Sequence, residues 1–257
     1  MPRSDYASGG NFALGNSCLA ERLGHYGRLS PGELASIAHL EDQAKEFRRG
    51  SVVIRENERP RELYIIRSGW LHSSTLLGNG SRQILRFHFR GDILGLPLLA
   101  FADSPETVTA VTDAVVAPFS REKLGQLIAD HPRLGALILG LSVAERVALA
   151  DRLASIGRTS ARARVGSLIC ELVARMRRLG VMDKGGYLQL PLTQEDIGDA
   201  TGLTAVHVNR MMRGLVLDRI IERESGLIRL LDEDRLTDEA NFINRTAIET
   251  GWLPQSR

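Results

Sequence analysis

The hydrophobic period of this chain changes once, near Ser120, and that change restricts it to two differently built halves. Before it, short β-type runs cover residues 51–54, 63–66, 70–77, 83–89 and 115–116. Gly50, Gly69, Gly78-Asn79-Gly80 and Gly91-Asp92 stand between the runs as turn residues. Short, evenly spaced strands with tight turns predict a small barrel or sandwich. After the change, Pro132 suits the first turn of a helix. Leu134, Leu137, Ile138, Leu141, Ala148, Leu149, Leu153 and Ile156 follow at helical spacing as one long apolar stripe. The stripe predicts a helix that packs on the β half, pairs with a second copy, or does both. Another helix is predicted from Thr159-Ser160, with Val165, Leu168, Ile169, Leu172, Val173, Met176 and Leu179 on one face and Gly180 as its stop.

The 257 residues suffice for two domains, each with its own core. A formal net charge of +2 argues neither for nor against a polyanionic partner. The only cysteines, Cys18 and Cys170, exclude a disulfide framework, a cysteine-rich zinc site and a four-cysteine iron–sulfur cluster carried by one chain. Cys170 falls on the inner face of its helix and reads as a buried structural thiol. No cofactor and no metal are expected. Residues 1–17, rich in Gly, Ser and Asn, read as a flexible extension without a signal-peptide pattern. No apolar run approaches the ~18 residues of a membrane span, and a cytoplasmic protein is expected.

The segment 191–215 is the most informative. Thr193 is placed to cap a helix, with Asp196 in the capping-box position. Ile197 and Ala200 are predicted to face inward, Ala200 being small enough for a second helix to cross closely. Gly202 sits where a sharp turn needs positive φ. Thr204 caps the second helix, whose inner face is Val208, Met211, Met212 and Leu215. At about 100° per residue the opposite face carries Val206, Asn209, Arg210 and Arg213, with His207 at its margin. These residue types at this spacing fit a helix in the DNA major groove; the alternative is a helical hairpin with a solvated polar face.

Residues 218–231 read as strand, Ser225-Gly226 turn and strand, a hairpin wing, and residues 187–190 as a further strand. Residues 158–178 hold six arginines against one glutamate, a local basic face beside the motif.

In this order the parts resemble the Crp/Fnr family of bacterial regulators over about residues 20–231. The glycine-rich roll, the Gly91-Asp92 step, Thr193-Gln-Glu-Asp-Ile-Gly198 and Gly202-Leu-Thr with Val208 and Arg210 carry the resemblance. It implies a base-reading role for Arg210, a nearby basic contact from Arg213, and phosphate-side contacts from Thr204 and Gln194. Val206 departs from the family's usual Glu, an acceptor for a cytosine amino group, and His207 from its usual Thr.

The resemblance also implies a ligand cradle, but Leu96 stands at the position of the ribose-binding Glu and Ser104-Pro105 where a phosphate-pairing Arg is expected. Leu offers no acceptor and no charge remains to offset a buried phosphate, so the fold is implied without the cyclic-nucleotide site. His72 and His88 lie on strands joined through Gly78-Asn79-Gly80 and could begin a metal site; plain surface or hydrogen-bonded strand histidines are the favoured reading.

The expected architecture is α+β: a double-stranded, cyclic-nucleotide-binding-like β-roll over 18–120, a dimerisation helix over 121–158, and a winged helix-turn-helix with its tail over 159–257. The expected function is sequence-specific DNA binding as a homodimer that regulates transcription, through Thr193, Gln194, Thr204, Val206, His207, Asn209, Arg210 and Arg213. Double-stranded DNA, a second copy of the chain and RNA polymerase are the expected partners, and no membrane. The alternative is an effector-sensing roll whose output is mainly protein–protein. A catalytic cupin is disfavoured, since ligands and a nucleophile–base pair are lacking.

Overall fold

The computed structural model describes residues 17–245 and 249–254, and the expected flexible extension lies outside them except for Ser17. Ser17 caps α1 (Cys18–Gly24), its hydroxyl accepting from the Ala20 N–H. Ser30 and Glu33 form a capping box at the start of α2 (Pro31–Ala38).

The β half then unrolls as β1 (Lys45–Phe47), β2 (Val52–Ile54), β3 (Glu62–Ser68), β4 (Leu71–Leu76), β5 (Arg82–His88), β6 (Ile93–Leu94), β7 (Thr107–Ala110) and β8 (Ala114–Ser120). They make two four-stranded antiparallel sheets, ordered β1-β8-β3-β6 and β2-β7-β4-β5. Alternation along β3 shows how the roll is filled. Tyr64 and Ile66 enter the core between the sheets with Leu71, Val108 and Val116. Leu63 and Ile65 point outward, under Leu19, Leu23, Leu134 and Leu137. The run 63–66 is apolar throughout because both faces of this strand are covered.

The α half begins with a correction. The segment 121–158 is two helices, α3 (Arg121–Asp130) and α4 (Pro132–Arg158), broken at His131 (φ −131°, ψ 75°). The proline ring disfavours helical dihedrals in the residue before it. α3 buries Leu124 and Leu127 against the roll, so the long helix proper starts only at Pro132. α5 (Ala161–Arg178) is capped by Ser160 and ends in a Schellman motif, with the Gly180 and Val181 N–H groups donating to Arg177 and Met176.

The motif region supplies β9 (Leu188–Gln189), α6 (Gln194–Thr201), α7 (Ala205–Leu217), β10 (Ile221–Glu224) and β11 (Leu227–Leu230). The last three strands form a sheet ordered β10-β11-β9, and the β10–β11 turn places Ser225 and Gly226 at positive φ, as the wing reading expects. The acidic end of the chain, read only as a tail, forms α8 (Glu233–Ala240), which buries Leu236 and Ala240 against α5.

The halves are not strung apart. Ile84, Phe87 and Phe89 of the roll share one continuous core with Leu168, Leu172, Val173, Val208 and Leu215 of the helical half. Phe87 is fully buried, worth about 1.5–3 kcal/mol by area. β5 is therefore the strand on which the winged-helix half is seated.

Two readings left open about faces are decided by the fold. His72 pairs across the hairpin with Phe87, and His88 with Leu71, so the two histidines leave their strands on opposite faces. They cannot share a metal ion, and no group of three or more His, Cys, Asp or Glu suited to one occurs among the described residues. The stripe on α4 also divides. Leu134, Leu137, Ile138 and Leu141 are buried on the roll, whereas Leu149 and Leu153 are exposed.

Candidate nucleic-acid interface

The interface is built from two capped helices and the turn between them. Thr193 accepts from the Asp196 N–H at 3.0 Å, and the Asp196 carboxylate accepts from the Thr193 N–H, also at 3.0 Å. Gly202 ends α6 with φ 68°. A Cβ at Gly198 would collide with the Leu203 carbonyl, so the close approach expected at Ala200 occurs at Gly198, with Ala200 buried beside it. The signal for this was in the motif, where Gly198 precedes the turn by four residues. Thr204 then caps α7 by accepting from the His207 N–H, a contact of about 1 kcal/mol.

α7 buries Val208, Met212 and Leu215, with Met211 half-buried, and turns Val206, His207, Asn209, Arg210 and Arg213 to solvent. Val206 is 80% exposed, an apolar side chain that nothing among the described residues covers. Asn209, Arg210 and Arg213 have no hydrogen-bond or ion-pair partner among the described residues, leaving their donors free. Gln194, at the first position of α6, is half-buried, and its Oε1 is enclosed without a partner. The Thr193 and Thr204 hydroxyls are engaged in capping, so what these positions offer a phosphate is chiefly the backbone N–H groups at two helix N-termini.

Two arginines escaped the sequence reading: Arg219 and Arg223, exposed beyond α7 and on the wing, also without a side-chain partner among the described residues. Arg219 shows no local pattern, and its φ of 54° belongs to the turn between α7 and β10.

The basic face expected from residues 158–178 does not form as such. Arg162 is held by Asp218 and Glu239, Arg177 by Glu233, and Arg175 by Asp92. Arg158, Arg164 and Arg178 line a cavity beside α4, Arg164 with its guanidinium near Gly202 in the turn between α6 and α7.

In the roll, Leu96 opens a 3-10 turn over Leu96–Leu99. Ser104 is buried and donates to the Glu106 carbonyl at 2.7 Å, so its hydroxyl is engaged within its own loop. Cys170 is buried and its thiol is pushed up to about 11, mainly by burial, which keeps it protonated and unreactive. No helix among the described residues is long and apolar enough to cross a membrane.

Two family models match this chain in tandem, a cyclic nucleotide-binding domain over residues 44–131 and a Crp-like helix-turn-helix domain over 163–239. The fumarate and nitrate reduction regulatory protein of Vibrio cholerae is 24% identical over 212 residues, 82% of this chain and 84% of the relative. That of Salmonella typhimurium is 25% identical over 219 residues, 85% and 87% of the two chains. Among solved structures, FixK2 from Bradyrhizobium japonicum superposes with a TM-score of 0.68 at 26% identity, over 76% of this chain and 96% of that one. CLP of Xanthomonas campestris, at 16% identity and a TM-score of 0.63, shares the fold.

A β-roll seated on a winged helix-turn-helix, with an open polar recognition face, defines a DNA-binding regulator of transcription. The two matched models and the relatives agree on which kind. The chain belongs to the Crp/Fnr family.

Proposed function

We propose that the protein acts as a homodimer whose two α7 helices read a two-fold-related operator in successive major grooves. The carrying observation is the solvent face of α7, where Val206, Asn209, Arg210 and Arg213 stand together with no partner among the described residues. Arg210 offers two parallel donors to guanine O6 and N7, and Val206 packs on a thymine methyl group. Asn209 and His207 contact an adjacent base or phosphate. Arg213, Gln194 and the helix N-termini capped by Thr193 and Thr204 hold the backbone.

Dimerisation is assigned to α4, on a face opposite the roll. Leu139, Val143, Arg146, Ala150 and Leu153 are all exposed, and their spacing alternates four and three residues. That is the seam of a two-stranded coiled coil, with Arg146 as its one charged position. Leu139 and Leu153 are 58% and 73% exposed in the single chain, which an isolated helix in water does not favour.

On this reading the functional units are the roll over 18–120, the connecting helices over 121–158 and the winged helix over 159–257. The protein works in the cytoplasm with RNA polymerase as a further partner, is not an enzyme, and does not take cyclic nucleotides in the roll, where Leu96 and Ser104 leave no anchor.

The test is selection of genomic fragments by the purified protein and by Arg210→Ala. A two-fold-related motif enriched by the first and blurred in the second is the expected result. No enrichment of any sequence by the intact protein overturns the reading.

A further inference from the structure

A cavity of about 440 Å3 opens where the roll, α4 and the winged-helix half meet. Its size lies in the ~300–1,000 Å3 range of small-molecule sites. The walls come from α1, β5, the Gly91-Asp92 turn, α4, α5, the C-terminal end of α6 and the segment after α8. No residue between 93 and 140 reaches it, so it is separate from the cradle where Leu96 and Ser104 lie. Of the α4 residues lining it, Leu141, Glu145, Ala148 and Arg152 lie on the face opposite Leu139, Val143 and Leu153.

Among the described residues, nine arginines line this cavity against four carboxylates. Every one of those carboxylates is already taken. Asp92 is 1% exposed and is held by Arg22, by Arg175 at 2.8 Å and by Arg86 at 3.6 Å. Glu145 is held by Arg22 at 3.0 Å and by Arg86 at 2.6 Å. Glu171 takes Arg152, and Asp151 takes Arg245. The three arginines of the Asp92–Glu145 cluster form ion pairs with only two carboxylates, Glu106 and Glu171 acting at longer range, and Arg178 adds a further charge with no carboxylate within ion-pair distance among the described residues.

His88, against Asp92, contributes no charge, since burial first and Arg86 next hold its pKa well below the ordinary range. The side chains of Arg22, Arg86 and Arg175 are only 12%, 14% and 18% exposed. Positive charge so enclosed is costly unless an anion compensates it. Burial pushes Arg22 down to about 9, with the charge of Arg175 acting in the same direction. Desolvation and Arg175 also lower Arg178, against the opposing effects of Tyr26 and Glu171. Beside this pole the wall is apolar: Leu85, Leu141, Ala144, Ala148 and Leu168.

We infer that this cavity binds a small anion carried on an apolar body, an aryl or acyl phosphate or carboxylate, with the anionic group at Arg178, Arg175 and Arg22 and the body against Leu141 and Leu168. The ligand touches α4 on one side and α5 on the other, and thereby fixes the winged helix against the dimer helix. Its effect on DNA affinity rests on the function proposed above; its binding does not.

The test is calorimetry on the intact protein without DNA, using 1-naphthyl phosphate, 1-naphthoate and neutral 1-naphthol as probes. Either anion binding with a Kd below about 100 μM, at least about tenfold tighter than 1-naphthol, supports the site. The two anions distinguish a phosphate from a carboxylate ligand. Arg178→Ala, which removes no ion pair, is expected to weaken the bound anion about tenfold or more with an unchanged melting temperature. Binding of neither anion below about 1 mM, equal binding of 1-naphthol, or an Arg178→Ala variant that binds as well as the parent overturns the inference. A separate operator titration with and without the bound probe reads the coupling, so failure of DNA reading and failure of the cavity are told apart.

Discussion

Arg82, the first residue of β5, reaches across to α6 and pairs with Asp199 at 2.7 Å. Its Nη2 meets Asp196 at 2.8 Å, and the neighbouring Gln83 side-chain amide donates to the Asp199 backbone carbonyl at 2.6 Å. Asp196 is also the capping-box carboxylate of α6. The roll therefore grips the same helix terminus that positions the helix-turn-helix.

Removing this grip is expected to loosen the motif more than the roll. Arg82 and Asp196 are 32% and 14% exposed, so the pair lies between a surface bridge and a buried one, and Arg82→Ala should cost about 1–2 kcal/mol. Hydrogen exchange at the amides of α6 should accelerate while that of β3 and β8 holds. Equal exchange in α6 of parent and variant would show that the grip contributes nothing to the motif.

His72 makes stability depend on pH. Burial, helped by the charge of Arg82 and opposed by Asp196 and Asp199, holds it down at about 4. Folded, it stays neutral through the range in which the unfolded chain, with a pKa near 6.5, takes up a proton. Its contribution is thus complete above about pH 6.5 and is lost as pH falls toward 4. Between about pH 7.5 and about pH 5 this is on the order of 2 kcal/mol, and buried His88 shifts in the same direction. Urea unfolding across that range should show the loss, and His72→Phe should flatten the slope. An unchanged slope places the pH sensitivity elsewhere.

On the proposed seam, Leu139→Glu with Leu153→Glu should give monomers in sedimentation and lose tight operator binding without loss of fold. Leu141 is not suited to this test, because it is buried on the roll and its replacement would unfold the chain. A dimer that survives both changes locates the interface on another face.

Recognition is separable residue by residue. Arg210→Ala should lower affinity and relax preference at one G·C pair of each half-site by about 1–3 kcal/mol. Arg213→Ala should weaken all sequences alike and flatten the salt dependence. Val206→Glu should move preference at its base pair toward one presenting a cytosine amino group. A half-site substitution panel reads all three, and an Arg210→Ala variant that weakens every sequence equally makes Arg210 a phosphate clamp.

What the sequence by itself determined were features set by residues a few positions apart. The change of period at Ser120, the capping of α6 by Thr193 and of α7 by Thr204, the positive φ at Gly202 and the Ser225-Gly226 wing turn all depend on local sterics and hydrogen bonds. The exposed face of α7 follows from helical spacing, which is why its reading residues were legible before any contact was known.

Faces that depend on distant partners were decided only by tertiary structure. Strand register, not numbering, sends His72 and His88 to opposite sides of their sheet. The arginines of 158–178 look alike in sequence, yet carboxylates as remote as Asp92 and Glu239 claim some and leave Arg164 and Arg178 to the cavity. Arg22, Asp92, Glu145 and Arg175 meet in one buried cluster although the chain separates Arg22 from Glu145 by 123 positions. A charge is fixed by composition, but its partner is chosen by which elements the core packs together.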